Sequence, residues 1–152
     1  MKQTPRDKAI LERMAPGVLC AEGFLGDDPR DLSEIIAADT AAVEAAGLTH
    51  EQIARSLAAA MKTAMAELGR PAAISEHVAA VWREGMGRIP SPWTGDGVFP
   101  KGELGLTDTR TGRTLTLTPL SVHLIAAHGF YQGRGSRYRL EPHDIIAMFE
   151  LT

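Results

Sequence analysis

The residues from His128 to Arg139 put three glycines, two tyrosines and three arginines into one stretch, His128-Gly129-Phe130-Tyr131-Gln132-Gly133-Arg134-Gly135-Ser136-Arg137-Tyr138-Arg139. A buried core makes few demands that such a mixture would meet. Glycines let backbone N–H groups converge on an anion or let a ligand approach the chain, and arginines set between tyrosines grip a phosphate or stack on a ring. The charge distribution points the same way. Residues 97–140 hold six basic and two acidic side chains, a net +4 in a chain of net −3. A guanidinium donates paired hydrogen bonds to carboxylate or phosphate, so Lys101, His128, Tyr131, Arg134, Arg137, Tyr138 and Arg139 are the candidate ligand-binding residues. The expected ligand is an anionic small molecule or an acidic segment of a protein partner. Phosphate-binding loops run from strand through glycines into a helix. Gly133-Arg134-Gly135 instead follows a helical segment, so it belongs to neither nucleotide fingerprint.

Five histidines raise a second chemistry, metal binding or general acid–base catalysis. His123 and His128 are five residues apart, which places them about 140° from each other around a helix. A helical metal pair uses spacings of three or four. The two are therefore not expected to share a face, and a site would have to recruit His143, His77 or Cys20 through the fold. No metal ligand is assigned and no cofactor is named. His128 also suits the C-terminal end of a helix, where the dipole favours a cation. Among nucleophiles there is no Gly-x-Ser-x-Gly elbow, and Cys20 lies beside Leu19 and Ala21 in the manner of a small buried hydrophobe.

The elements that must position these residues divide near residue 70. The first part is rich in alanine, whereas six of the eight aromatics lie between Trp82 and Tyr138. Thr4-Pro5 opens a helix that Pro16-Gly17 closes. A loop pinned by Phe24 and Leu25 follows, and Asp28-Pro29, or Asp31 with Glu34, caps a second helix whose face carries Leu32, Ile36, Val43 and Ala46. Gly47-Leu48-Thr49 ends it and starts a third, with Gln52 completing the capping box, so the pair reads as an αα-hairpin. Ile53, Leu57, Met61, Ala64, Met65 and Leu68 carry the third helix to Gly69 and Pro71. Ala73 to Trp82 fits strands better than a helix, and Ile89-Pro90-Ser91-Pro92-Trp93 must be extended. Leu104, Leu106, Leu115 and Leu117 alternate with polar residues about a Thr109–Gly112 turn, the pattern of a half-buried hairpin. Thr118-Pro119 and Glu141-Pro142 open helices ending near His128 and Phe149. The expected fold is α+β in a single domain over 1–152: N-terminal helices including an αα-hairpin over 1–70, a small antiparallel β-sheet over 71–118, and two short C-terminal helices with the basic loop over 119–152.

Composition bounds the rest. With 44% hydrophobic and 23% charged residues the chain is neither disordered nor fibrous. No apolar run approaches the roughly 18 residues of a membrane span, and MKQTPRDKAI has charges where a signal peptide is apolar. With one cysteine there is no intrachain disulfide, so a cytoplasmic setting is expected. The segment Gly47 to Leu57 is similar to the first helix of helix-turn-helix proteins. Ala58-Ala59-Ala60-Met61 continues that helix where a turn is needed, and residues to position 70 hold eight basic and eleven acidic side chains. Sequence-specific DNA binding is disfavoured on both counts.

Ala15-Pro16-Gly17, Gly23-Phe24-Leu25-Gly26, Gly47-Leu48-Thr49, Ile89-Pro90-Ser91-Pro92, Phe99-Pro100-Lys101, His123-Leu124-Ile125 and His128 to Gly133 together resemble a family of small bacterial proteins with no established activity. The resemblance implies a bacterial cytoplasmic protein and brings no catalytic residue with it. The leading expectation is a binding or regulatory domain that uses the basic Gly/Tyr/Arg loop. The alternative is a small enzyme, metal-dependent or not, with His123 or His128 beside Tyr131 as acid or base. A third reading is a homodimer joined through Trp93, Phe99 and Phe130.

Overall fold

The computed structural model describes residues 4–151. Three helices come first: α1 (Pro5–Met14), α2 (Leu32–Ala45) and α3 (His50–Met65). Thr4 and Thr49 cap α1 and α3 with reciprocal boxes, each threonine side chain accepting the N3 amide while Asp7 or Gln52 accepts the cap's own N–H. Asp31 occupies the N-cap of α2 without a side-chain cap bond. Asp28 is used differently, forming a forked pair with Arg30 at 2.9 and 2.7 Å.

Strands β1 (Ala72–Ala73), β2 (Val78–Arg83), β5 (Glu103–Asp108) and β6 (Thr114–Leu117) form one antiparallel sheet in the order β1-β2-β5-β6. Strands β3 (Arg88–Pro90) and β4 (Val98–Pro100) form a separate two-stranded ribbon. Leu104 pairs with Leu117 and Leu106 with Leu115, so all four leucines point to one face, as their alternation requires. Helices α4 (Pro119–His128) and α5 (Pro142–Phe149) complete the α+β fold. No helix among the described residues is long and apolar enough to cross a membrane.

Two hydrophobic clusters form. The larger lays Ile53, Leu57, Ala60, Met61 and Ala64 of α3 on the leucine face of the main sheet, with Ile125, Ile145 and Met148 of the last two helices. The smaller gathers Ile10 and Met14 of α1, Phe24, Ile35, Trp93, Leu120, Leu124 and Phe130. Helix α4 belongs to both, so its side chains are set by packing on two sides.

Three expectations change. Helix α3 stops at Met65 rather than Leu68, which takes φ 53° and is 86% exposed. The buried stripe of α2 is Ile35, Asp39 and Val43, because Asp39 turns inward to meet an arginine, and Leu32 and Ile36 are only partly covered. Trp93 and Phe130 are buried within the chain and Phe99 packs beside them, so this trio does not form an exposed apolar patch.

Candidate metal centre

The β3–β4 ribbon ends in a tip, residues 91–97, that carries a carboxylate. Its base is closed by Ser91 N–H donating to the Gly97 carbonyl at 3.3 Å, and its middle by Asp96 N–H donating to the Trp93 carbonyl at 3.3 Å. Gly95 and Gly97 flank Asp96 at φ 98° and 94°, a conformation that side-chain-bearing residues rarely adopt. Arg13 of α1 fixes the tip from outside, its guanidinium donating to the carbonyls of Ser91 at 2.7 Å and Pro92 at 2.9 Å.

Helix α4 supplies the other half. Both its imidazoles meet the same atom, with His123 Nε2 at 2.9 Å and His128 Nε2 at 2.8 Å from Asp96 Oδ2. The donor atoms of the three residues all lie within 4.8 Å of one another. The five-residue spacing does not keep the histidines apart, because Asp96 lies between them and the two long side chains converge on it from either side. Aromatic faces hold each ring. Trp93 stacks on His128 with centroids 4.0 Å apart and planes at 9°, and Phe99 stacks on His123 at 4.6 Å and 29°. Ser91, buried to 1% exposure, accepts the Trp93 N–H at 3.1 Å and donates its hydroxyl to Asp96 Oδ2 at 2.8 Å.

Burial alone would push the Asp96 carboxyl up, but hydrogen bonds from His128, His123 and Ser91, together with the charge on His128, outweigh it and bring the pKa to about 2. Asp96 is thus a carboxylate at any physiological pH. Three donors nevertheless converge on one oxygen, which offers two lone pairs. Replacing the two imidazole protons by one cation relieves that crowding and leaves Ser91 as an outer hydrogen bond to the ligating carboxylate. Bonds of about 2.1 Å separate neighbouring ligand atoms by roughly 3.0–3.5 Å, so the cluster need open only slightly. The side chains are 17–27% exposed, which leaves the open side of such an ion accessible.

Of the residues expected to bind an anion, Lys101, Arg137 and Tyr138 line one cleft and the other four lie elsewhere. Tyr131 is 1% exposed, and its hydroxyl pairs with His50 Nδ1 at 2.8 Å, while Thr40 Oγ1 lies 2.9 Å from His50 Nε2. Burial pushes the Tyr131 phenol upward and the His50 imidazole downward. The phenol is therefore held against α3 and is not beside His123 or His128. Arg139, its side chain 8% exposed, is clamped by Asp39 at 2.6 and 3.0 Å and by Glu141 at 3.0 Å. Arg137 pairs with Glu103 at 2.8 Å and Tyr138 donates to the same carboxylate. Lys101 and Arg134 remain exposed. Of the seven, only His128 joins the cluster. His143 is exposed on α5, His77 lies in the β1–β2 turn, and neither joins it. Asp96 is the residue that sequence reasoning missed. Its signal was modest: one carboxylate between two glycines at the tip of a proline-framed, extended segment.

The glycines of the basic loop also have a mechanical explanation. Gly129 ends α4 in the left-handed conformation at φ 62°. A side chain at Gly133 would come within 2.2 Å of the Leu25 carbonyl oxygen, because the two loops run in contact, with Gly133 N–H donating to the Phe24 carbonyl at 2.9 Å.

Comparison of the chain with protein-family models, with curated proteins and with solved structures finds no match, so the reading of this centre rests on its own geometry.

Proposed function

We propose that the protein is a metal-dependent enzyme that holds one divalent transition-metal ion between Asp96, His123 and His128. The observation that carries this reading is the convergence of two imidazole Nε2 atoms on one carboxylate oxygen at 2.8 and 2.9 Å. Two histidines and a carboxylate suit zinc or iron(II), and three protein ligands leave at least one position for water or substrate. An ion so placed acts as a Lewis acid on an oxygen-bearing substrate and lowers the pKa of bound water toward neutrality. In this reading the proton carrier is the bound water, in place of His123 or His128 acting as acid or base beside Tyr131. Trp93 and Phe99 wall the two histidines, and Ser91 orients the carboxylate.

The test is cobalt(II) titration of the metal-free protein, followed by visible absorption. One equivalent should bind. Asp96→Asn and His123→Gln should each weaken binding by more than the roughly 10–100-fold that loss of an outer-shell partner costs, with unchanged far-UV circular dichroism. Affinity should fall as pH is lowered, because the imidazoles must shed their protons to ligate and metal binding competes with protonation. Absence of stoichiometric cobalt binding, or binding indifferent to both substitutions, would remove the proposal.

A further inference from the structure

A second feature stands apart from the metal centre and does not depend on it. A cleft of about 250 Å³ opens between the loop from Cys20 to Phe24 and the loop from Gln132 to Tyr138. Phe24, Ile89 and Leu120 supply its apolar wall, and Glu22, Lys101, Gln132 and Arg137 its polar rim.

The polar groups differ in what they have left to give. Arg137 is already matched by Glu103 at 2.8 Å and Glu22 at 3.8 Å. Lys101 makes no ion pair with a described residue, so with Arg137 taken up by its two carboxylates it is the rim's cation left to meet a ligand. Gln132 is 3% exposed, and its Oε1 accepts the Ser136 hydroxyl at 2.5 Å. Its amide nitrogen donates to no described residue, although the side chain lines the cleft. Gln132 is also one of three non-glycine residues with positive φ among the described residues, at 68°. Unusual backbone conformations of this kind cluster at ligand sites.

From this cleft we infer a binding site for a small amphipathic carboxylate, its head between Lys101 and Gln132 and its apolar body against Phe24, Ile89 and Leu120. The volume lies below the roughly 300–1,000 Å³ of sites for drug-sized ligands, so the ligand is of metabolite size. One free cation plus one neutral donor matches a monoanion better than a phosphate dianion. This narrows the broad basic face expected from the sequence to one lysine and one amide.

Isothermal titration with hexanoate and benzoate, read alongside backbone amide NMR shifts, tests the site. Both acids should bind, shifting Gly23, Gln132 and Tyr138, with hexanamide at least about tenfold weaker, as loss of a charge-assisted hydrogen bond implies. Lys101→Ala should weaken hexanoate by a similar factor. Gln132→Gly relaxes the positive φ while deleting the amide, so it should weaken binding several-fold without harming the fold. The inference is overturned if neither acid binds at millimolar concentration, if hexanamide binds as well as hexanoate, or if Lys101→Ala has no effect. It is equally overturned if inorganic phosphate competes at the same residues with equal affinity, or if the shifts instead map to His123 and His128. None of these results would move the cobalt titration.

Discussion

The imidazoles of this chain do different work according to their partners. At Asp96 two of them face a carboxylate, whereas His50 faces the neutral hydroxyls of Thr40 and Tyr131. Burial lowers the His50 pKa, and the charges of Asp39 and Glu44 offset this only in part. A group whose folded pKa is depressed stabilises the fold fully above its unfolded value, near 6.5, and loses that contribution as pH falls through the folded value. The wild type should therefore lose more melting temperature between pH 7.5 and pH 5.5 than His50→Gln does, in a thermal melt followed by circular dichroism. A larger loss in the variant would reverse the assigned direction. At this scale His123 and His128 were legible as candidates and Asp96 was not. Spacing along a helix reports angles about its own axis and says nothing of which loop crosses over it. Tyr131 and Arg139 were legible as unusual, but a side chain's type does not reveal whether its partners lie in solvent or within the fold.

At the scale of elements, the local grammar of caps and periods carried most of the fold. Thr4, Thr49 and Thr118 each form the capping box their neighbours allow, and the leucine alternation pairs strands as it must. The end of α3 is hidden in the sequence because Leu68 keeps the helical period although the helix caps at Ala66 and Leu68 itself takes a positive φ. The pairing of two loops was not legible at all. Gly133 meets Leu25 across more than a hundred residues, and nothing local distinguishes a glycine needed for close approach from one needed for a turn. Gly133→Ala should cost about 1–3 kcal/mol or more, since the new methyl meets backbone that cannot swing aside. Urea denaturation measures this directly. A cost below about 0.5 kcal/mol would place the substitution among ordinary surface changes and show that the loops separate easily.

Across the whole molecule, Asp39 and Arg139 join α2 to the segment before α5 through an ion pair with both side chains under a tenth exposed. Breaking such a pair strands a buried charge and costs about 3–5 kcal/mol. Asp39→Ala should fall toward the lower end, because Glu141 still accepts from the arginine. In a double-mutant cycle, Asp39→Leu with Arg139→Met should be less destabilised than the sum of the singles, and strict additivity would show that the two are not coupled. The hold that Arg13 has on the carbonyls of Ser91 and Pro92 has a consequence for the order of events during synthesis. That guanidinium leaves the ribosome 78 residues before the first of its acceptors, and His128 follows the tip by a further 32 residues after Asp96. At roughly 5–20 residues per second, the nascent chain spends seconds with its histidines unmade and its carboxylate unanchored. The centre is completed only when α4 has been synthesised, so an ion held as proposed would be captured only after residues through His128 have emerged.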